Sequence, residues 1–170
     1  MNIFLIGFMG VGKTTIGKEL AKKFNYTFYD TDNLIINKFN IQDGDLFRFF
    51  KGRKKCLNEE TIILKDLIGQ ENIVVATGGG IVLKDENIQL MIKNGIVIYL
   101  KMSVETQIER IESLKQKSLK RRFLPTIKNN GKKYMENRDI FYENNNTFTI
   151  KTDNKSIEQI CYEIGRFLDK

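Results

Sequence analysis

Apolar residues in this chain come in two patterns: short solid runs, and longer stretches in which they return every three or four positions. Residues 2–6 (Asn-Ile-Phe-Leu-Ile) form a β-rich run, while over 14–24 Ile16, Leu20 and Phe24 recur at helical spacing and define one buried face. A second strand is predicted over 27–29, ending at Asp30, and a helical region opens over 34–39. The next helix covers 59–68, with Ile62, Ile63 and Leu67 expected on its buried face. Residues 73–76 are a continuous apolar run closed by Thr77 and three glycines, as suits a parallel strand buried on both faces. Helices over 86–93, 104–111 and 132–142 then alternate with strands over 96–100 and 148–151. A closing helix over 156–168 takes Ser156 as its N-cap.

Strands separated by helices predict an α/β fold, a parallel sheet covered on both faces. Ligands of such sheets bind beyond the carboxyl ends of the strands. Neither a repeat nor a linker interrupts the pattern, so residues 1–170 read as one domain. The polar stretch 114–131, which holds the only proline, Pro125, is the candidate for a mobile lid.

A chain of 170 residues with 41% hydrophobic residues fits one compact soluble domain. No apolar run approaches the roughly 18 residues of a membrane span. The apolar start leads straight into a glycine loop without the basic opening and small-residue cleavage site of a signal peptide, so a cytosolic protein with no membrane partner is expected. Cys56 and Cys161 read as reduced structural thiols. The absence of histidine removes histidine triads and histidine metal sites, and leaves Asp, Glu, Lys or Tyr to handle protons. The net charge of +7 is clustered, at Lys51, Arg53, Lys54 and Lys55 and again from Lys115 to Arg122 and at Lys132 and Lys133. Such patches suit an anionic ligand or a solvated basic surface equally well.

The candidate chemistry lies at the predicted strand ends. Gly7-Phe8-Met9-Gly10-Val11-Gly12-Lys13-Thr14 matches G-x-x-x-x-G-K-[ST] between a strand and a helix. In that pattern backbone amides curl around phosphate oxygens, the lysine reaches the β- and γ-phosphates, and the hydroxyl ligates Mg²⁺. Gly10, Val11, Gly12, Lys13, Thr14 and Thr15 are therefore the expected ATP contacts. Asp30 and Asp32 follow the second strand, and residues two apart on extended chain point to one side. The third strand ends in glycines, which leaves Asp30 as the second Mg²⁺ ligand beside Thr14. Asp32 is then the candidate for orienting an acceptor hydroxyl and taking its proton; capping of the helix that follows is the plain alternative for both acids. Gly78, Gly79 and Gly80 permit close approach of a ligand to backbone, or form a flexible loop. Arg121 and Arg122 in the lid stretch suit the charge on a transferring phosphoryl group, and Arg138 suits a carboxylate.

Together these residues resemble the shikimate kinases, and the resemblance covers nearly the whole chain. Gly7 to Thr15 looks like the family's P-loop, and Asp30-Thr31-Asp32 like its paired aspartates, the first linked to Mg²⁺ and the second to shikimate. Gly78-Gly79-Gly80 is similar to the substrate-side glycine triplet, and Arg122-Phe123-Leu124 to the lid's Arg-Pro-Leu, whose arginine contacts ATP. Arg138 and Tyr142 resemble the Arg-x-x-x-Tyr of the last substrate-binding helix. The resemblance implies a three-layer P-loop kinase fold with five parallel strands in the order 2-3-1-4-5, a substrate-binding segment about 31–60 and a lid about 114–131. It implies MgATP-dependent phosphorylation of the 3-hydroxyl of shikimate, with Lys13, Asp32 and Arg122 catalytic, by a monomer without a nucleic-acid partner.

Two departures stand out. Leu57 occupies the place of a family arginine that binds the shikimate carboxylate, so Arg53, Lys54 or Lys55 compensates, or affinity is weak, or the acceptor differs. Phe123 replaces the lid proline, which leaves Arg121 and Arg122 as rival lid arginines. A gluconate-type or nucleoside monophosphate kinase shares the fold and is the nearest alternative. A regulatory GTPase lacks support, since the third strand has no Asp-x-x-Gly after it. A non-catalytic nucleic-acid module explains the basic patches but not the glycine loop with two aspartates.

Overall fold

The computed structural model describes residues 1–42, 45–113, 115 and 117–169, with the backbone alone of 117–128 and 130. Five parallel strands form one sheet: β1 (Ile3–Ile6), β2 (Thr27–Asp30), β3 (Ile73–Ala76), β4 (Ile96–Lys101) and β5 (Phe148–Lys151). Their spatial order is β2-β3-β1-β4-β5, as the resemblance implies. β1 is central, with Ile3 in register with Val74 on one side and with Ile96 on the other. Every side chain of β1 and β3 is buried, which explains why both strands read as solid rather than alternating apolar runs.

The helices are α1 (Lys13–Phe24), α2 (Thr31–Phe39), the single turn α3 (Leu46–Phe49), α4 (Arg53–Leu67), α5 (Asp85–Asn94), α6 (Val104–Ser113), α7 (Lys117–Glu143) and α8 (Ile157–Leu168). Ile16, Gly17, Leu20 and Ala21 form the buried face of α1. At Gly17 an added Cβ would lie 2.6 Å from Phe28, so α1 approaches β2 more closely than any larger residue allows. Ser156 caps α8 through a reciprocal pair with Gln159. Cys56 and Cys161 are both free and buried. No helix among the described residues is long and apolar enough to cross a membrane.

The structure corrects the pattern reading at two helices. On α4 the buried stripe is Cys56, Glu60, Ile63, Leu64 and Leu67, and Ile62 is 43% exposed. Two residues from Glu60, Ile62 lies about 200° around the helix, on the opposite face. A count of apolar residues alone favours Ile62 over Glu60. The second correction concerns α7, which begins at Lys117 rather than near residue 132 and takes in most of the stretch put forward as the lid candidate. That stretch lacks an apolar period but is rich in Lys, Arg and Leu, which favour helix without any buried stripe. Leu114 and Gln116, at its start, lie outside the described residues.

Candidate active site

Three adjacent strands, β2, β3 and β1, deliver their C-terminal loops to one place. The β3 loop is fixed to both neighbours: Thr77 donates its N–H (3.1 Å) and its hydroxyl (2.9 Å) to the Leu5 carbonyl, and Gly78 N–H donates to Thr31 Oγ1 at 2.9 Å.

After β1 the chain turns through Gly7, Gly10 and Gly12, all at positive φ (+144°, +81° and +96°). A Cβ at Gly7 would also lie 2.8 Å from the Leu100 carbonyl oxygen, so glycine is required there twice over. Lys13 tucks its ammonium inside the loop and donates to the carbonyls of Gly7 (2.7 Å) and Phe8 (3.0 Å). Desolvation there lowers its pKa to about 8, with Asp32 and Asp30 pulling the other way. Gly12 gives α1 no side-chain cap and the first turn holds no acid, so the helix dipole and its amides are left for an anion. From α6, Arg110 donates Nη1 to the Gly10 carbonyl at 3.2 Å and so borders the loop. Nothing in the sequence sets Arg110 apart from other charged residues of an exposed helix face.

Asp30 closes β2 and does two things at once. Its Oδ1 accepts from Asn33 N–H at 3.2 Å and caps α2, while its Oδ2 accepts from the Thr14 hydroxyl at 2.7 Å. Capping and pairing are thus compatible. A hydroxyl and a carboxylate at the rim of an anion-binding loop are hard oxygen donors, and they suit Mg²⁺, which takes few protein ligands and completes its shell with phosphate and water. Asp32 is not on extended chain as expected: it lies in the first turn of α2. The alternate-residue rule therefore does not place it. The turn of the helix does, and brings its carboxylate against Gly78.

Gly78 is pressed by two acids. A Cβ there would lie 2.1 Å from Glu60 Oε1 and 2.6 Å from Asp32 Oδ1. At this residue the need for glycine comes from carboxylates already present. Glu60, from the apolar stripe of α4, is 2% exposed. Burial, and then the neighbouring Asp32 carboxylate, raise its pKa to about 8 against the opposing pull of Arg138 and Lys13. Sequence reasoning missed Glu60. Its spacing of four and three residues from Cys56 and Ile63 was the available signal.

On the far side of the glycine triplet, the Gly79 carbonyl accepts from Arg138 Nη2 at 3.0 Å and from the Tyr142 hydroxyl at 2.6 Å. Tyr142 stacks on Tyr99 (5.1 Å between centroids), whose hydroxyl donates to Asp139, and this fastens α7 to β4. The Arg138 guanidinium lies 5.8 Å from the Phe8 ring and 6.0 Å from that of Tyr134. Three buried polar atoms here find no partner: Arg138 Nε and Nη1, and Glu60 Oε2. Leu57 is half-buried, and its Cδ2 would lie 3.6 Å from a Cβ on Gly80. Arg53, Lys54 and Lys55 are exposed at the start of α4. Arg121 and Arg122 fall on α7, and their side chains lie outside the described residues.

Comparison with known proteins finds the same arrangement of chain elsewhere. The family model described as shikimate kinase matches residues 9–169. The shikimate kinase of Chromobacterium violaceum is 34% identical over 99% of this chain and 89% of its own length. Among solved structures, a shikimate kinase from Acinetobacter baumannii in complex with shikimate has a TM-score of 0.83 at 28% identity, covering 98% of this chain and 92% of that one. That from Aquifex aeolicus has a TM-score of 0.80 at 30% identity, covering 99% and 96%.

Proposed function

The chain belongs to the shikimate kinase family, and from that membership we infer that it is an ATP-dependent phosphotransferase acting on the 3-hydroxyl of shikimate. The observation that carries this is the meeting of the glycine loop with Lys13, the Thr14–Asp30 pair, Asp32 and the Gly78–Arg138 side of the site at one edge of the sheet.

The roles divide as follows. Gly10, Val11, Gly12, Thr14 and Thr15 offer the nucleotide's phosphates backbone donors at the start of α1, where the helix dipole adds its positive end. Lys13 exchanges its two carbonyl partners for the β- and γ-phosphate oxygens, whose negative charge favours its protonated form. Thr14 and Asp30 would hold Mg²⁺, which would supply positive charge against the nucleotide's phosphates. Asp32 accepts the acceptor's hydroxyl as a hydrogen-bond donor, aligns its oxygen with the γ-phosphorus and takes the proton as the new bond forms. Gly78, Gly79 and Gly80 bring backbone against the acceptor, and the unused donors of Arg138 take its carboxylate. Arg122 in the first half of α7 stabilises the transferring phosphoryl group, so that residues 114–131 act as the lid and 31–60 as the acceptor-binding segment. Positioning and electrostatics supply most of the rate in such transfers. We assign the protein to the cytosol as a monomer, in keeping with the expectation from its sequence.

ADP release, measured with MgATP against shikimate, gluconate and nucleoside monophosphates in parallel, tests the reading. Sustained turnover with shikimate alone is expected. Equal or faster turnover with gluconate or a nucleotide overturns the acceptor, and no turnover with any of them overturns the activity.

A further inference from the structure

The contacts of Arg138 leave the direction of its guanidinium to the helix that carries it. Its Nε and Nη1 are buried without a partner, and Nη2 donates to the Gly79 carbonyl. The rings of Phe8 and Tyr134 lie 5.8 and 6.0 Å away. An aromatic face attracts a cation without fixing the angle at which its N–H groups point. Where α7 stands, and how it is turned about its axis, therefore decides what those free nitrogens can reach.

Two adjacent rows of side chains settle that turn. Arg138 and Tyr142, four residues apart, form one row; Asp139 and Glu143 form the next, about 100° further round. The second row meets a matching pair on β4, where Tyr99 and Lys101, two apart on a strand, project to one side. The Tyr99 hydroxyl donates to Asp139 Oδ1, while Lys101 pairs with Glu143 and lies 3.9 Å from Asp139 Oδ2. Tyr99 is buried, so a hydroxyl released by Asp139 would lose its partner without gaining water. The same ring also carries the first row. It stacks on Tyr142 at 5.1 Å, and the Tyr142 hydroxyl donates at 2.6 Å to the Gly79 carbonyl that Arg138 shares. β4 is, moreover, the strand that borders the glycine loop: Tyr99 is in register with Ile6, and the Leu100 carbonyl bars a Cβ from Gly7. One strand thus places the loop and the arginine together.

We propose that Asp139 and Tyr99 are positioning residues for the transfer: their hydrogen bond fixes the turn of α7 and so aims Arg138 at the acceptor's carboxylate. This rests on the reading of Arg138 as the group that takes that carboxylate. Neither residue touches the acceptor. They act through Arg138, so their loss weakens the hold on the acceptor and leaves the nucleotide side as it was.

Steady-state KM for shikimate and for ATP, measured on one set of variants, tests the proposal. Tyr99→Phe removes the hydroxyl and keeps the ring on Tyr142; Asp139→Ala removes the acceptor. Each is expected to raise KM for shikimate about tenfold, the scale of one hydrogen bond to a charged group. KM for ATP and kcat at saturating shikimate are expected to stay as they are. Asp139→Asn, whose amide oxygen still accepts from Tyr99, is expected to lie close to the unmodified chain. In an Arg138→Ala background, with no guanidinium to aim, Asp139→Ala is expected to add nothing. An unchanged KM for shikimate in Tyr99→Phe and Asp139→Ala overturns the proposal. So does a rise that KM for ATP shares, one that adds in full to that of Arg138→Ala, or an Asp139→Asn as impaired as Asp139→Ala. Should Asp139→Ala fail to fold, Tyr99→Phe takes its place in both comparisons. An Arg138→Ala chain with the unmodified KM for shikimate is a separate result: it overturns the reading of Arg138, and the proposal with it, as does the lack of any shikimate turnover by the unmodified chain.

Discussion

Asp32 and Leu57 carry the sharpest expectations at the level of single residues. Asp32 stands against Gly78 in the first turn of α2, within the field of Lys13. Replacing it with Asn keeps the shape and removes the proton acceptor. Asp32→Asn is expected to lose turnover by at least ~100-fold while ADP binding, read by fluorescence or calorimetry, is retained; near-normal turnover removes Asp32 from its role. Leu57 lies beside Gly80, at the edge proposed for the acceptor. Leu57→Arg is expected to lower KM for shikimate, and an unchanged KM in steady-state assays means that position 57 does not face the acceptor. Both residues were legible from spacing to the glycine loop and to Gly78–Gly80. Glu60 was not, because its neighbours in space, Asp32 and Gly78, are remote in sequence.

At the scale of elements, α4 is a helix with an acid in its apolar stripe, and that has a consequence for stability. The folded-state pKa of Glu60 is raised, from 4.5 to about 8. Below the lower value both folded and unfolded chains hold the proton. Between the two values only the folded chain does, so stability falls as pH rises, by about 1.4 kcal/mol per unit at most. Above about 8 the loss is complete. Thermal melts of the unmodified chain and Glu60→Gln, compared at low and high pH, are expected to diverge in that direction, with the variant relatively more stable at high pH. Parallel displacement at every pH shows that Glu60 does not titrate in this range. The same helix shows where period-based reading fails: Ile62 was placed on the buried face and Glu60 was not, whereas packing leaves Ile62 exposed and Glu60 buried. α7 teaches the complementary lesson. Helix-forming residues without an apolar period were left out of the predicted helix, although their propensity favours one.

For the whole molecule, what matters is that β1, β2 and β3 are neighbours, so three loops far apart in the chain share one edge. The nucleotide side rests on the first and second of these loops, the acceptor side on the second and third. Chelation of divalent cations with EDTA is therefore expected to abolish turnover while ADP still raises the melting temperature, because the amide cradle and Lys13 remain. Loss of both together shows that Thr14 and Asp30 are not the only groups through which the metal acts. The clustered positive charge adds long-range attraction for two anionic substrates, an effect on encounter rather than on fold.

The alternation of solid and periodic apolar runs was enough to settle the α/β class and the position of all five strands, because the central strands β1 and β3 are buried along their whole length and the strand-forming residues of β2 and β5 stand between clear helical stretches. The glycine loop was equally legible: positive φ and a free amide are properties of a residue and its immediate neighbours. Folding alone decided that Asp32 would reach Gly78 from a helix, that Glu60 would be sealed beside it, and that Arg138 would grip the carbonyl of Gly79. Those are contacts between groups dozens of residues apart, and their pKa values and partners follow from burial and distance, which no local pattern of side chains encodes.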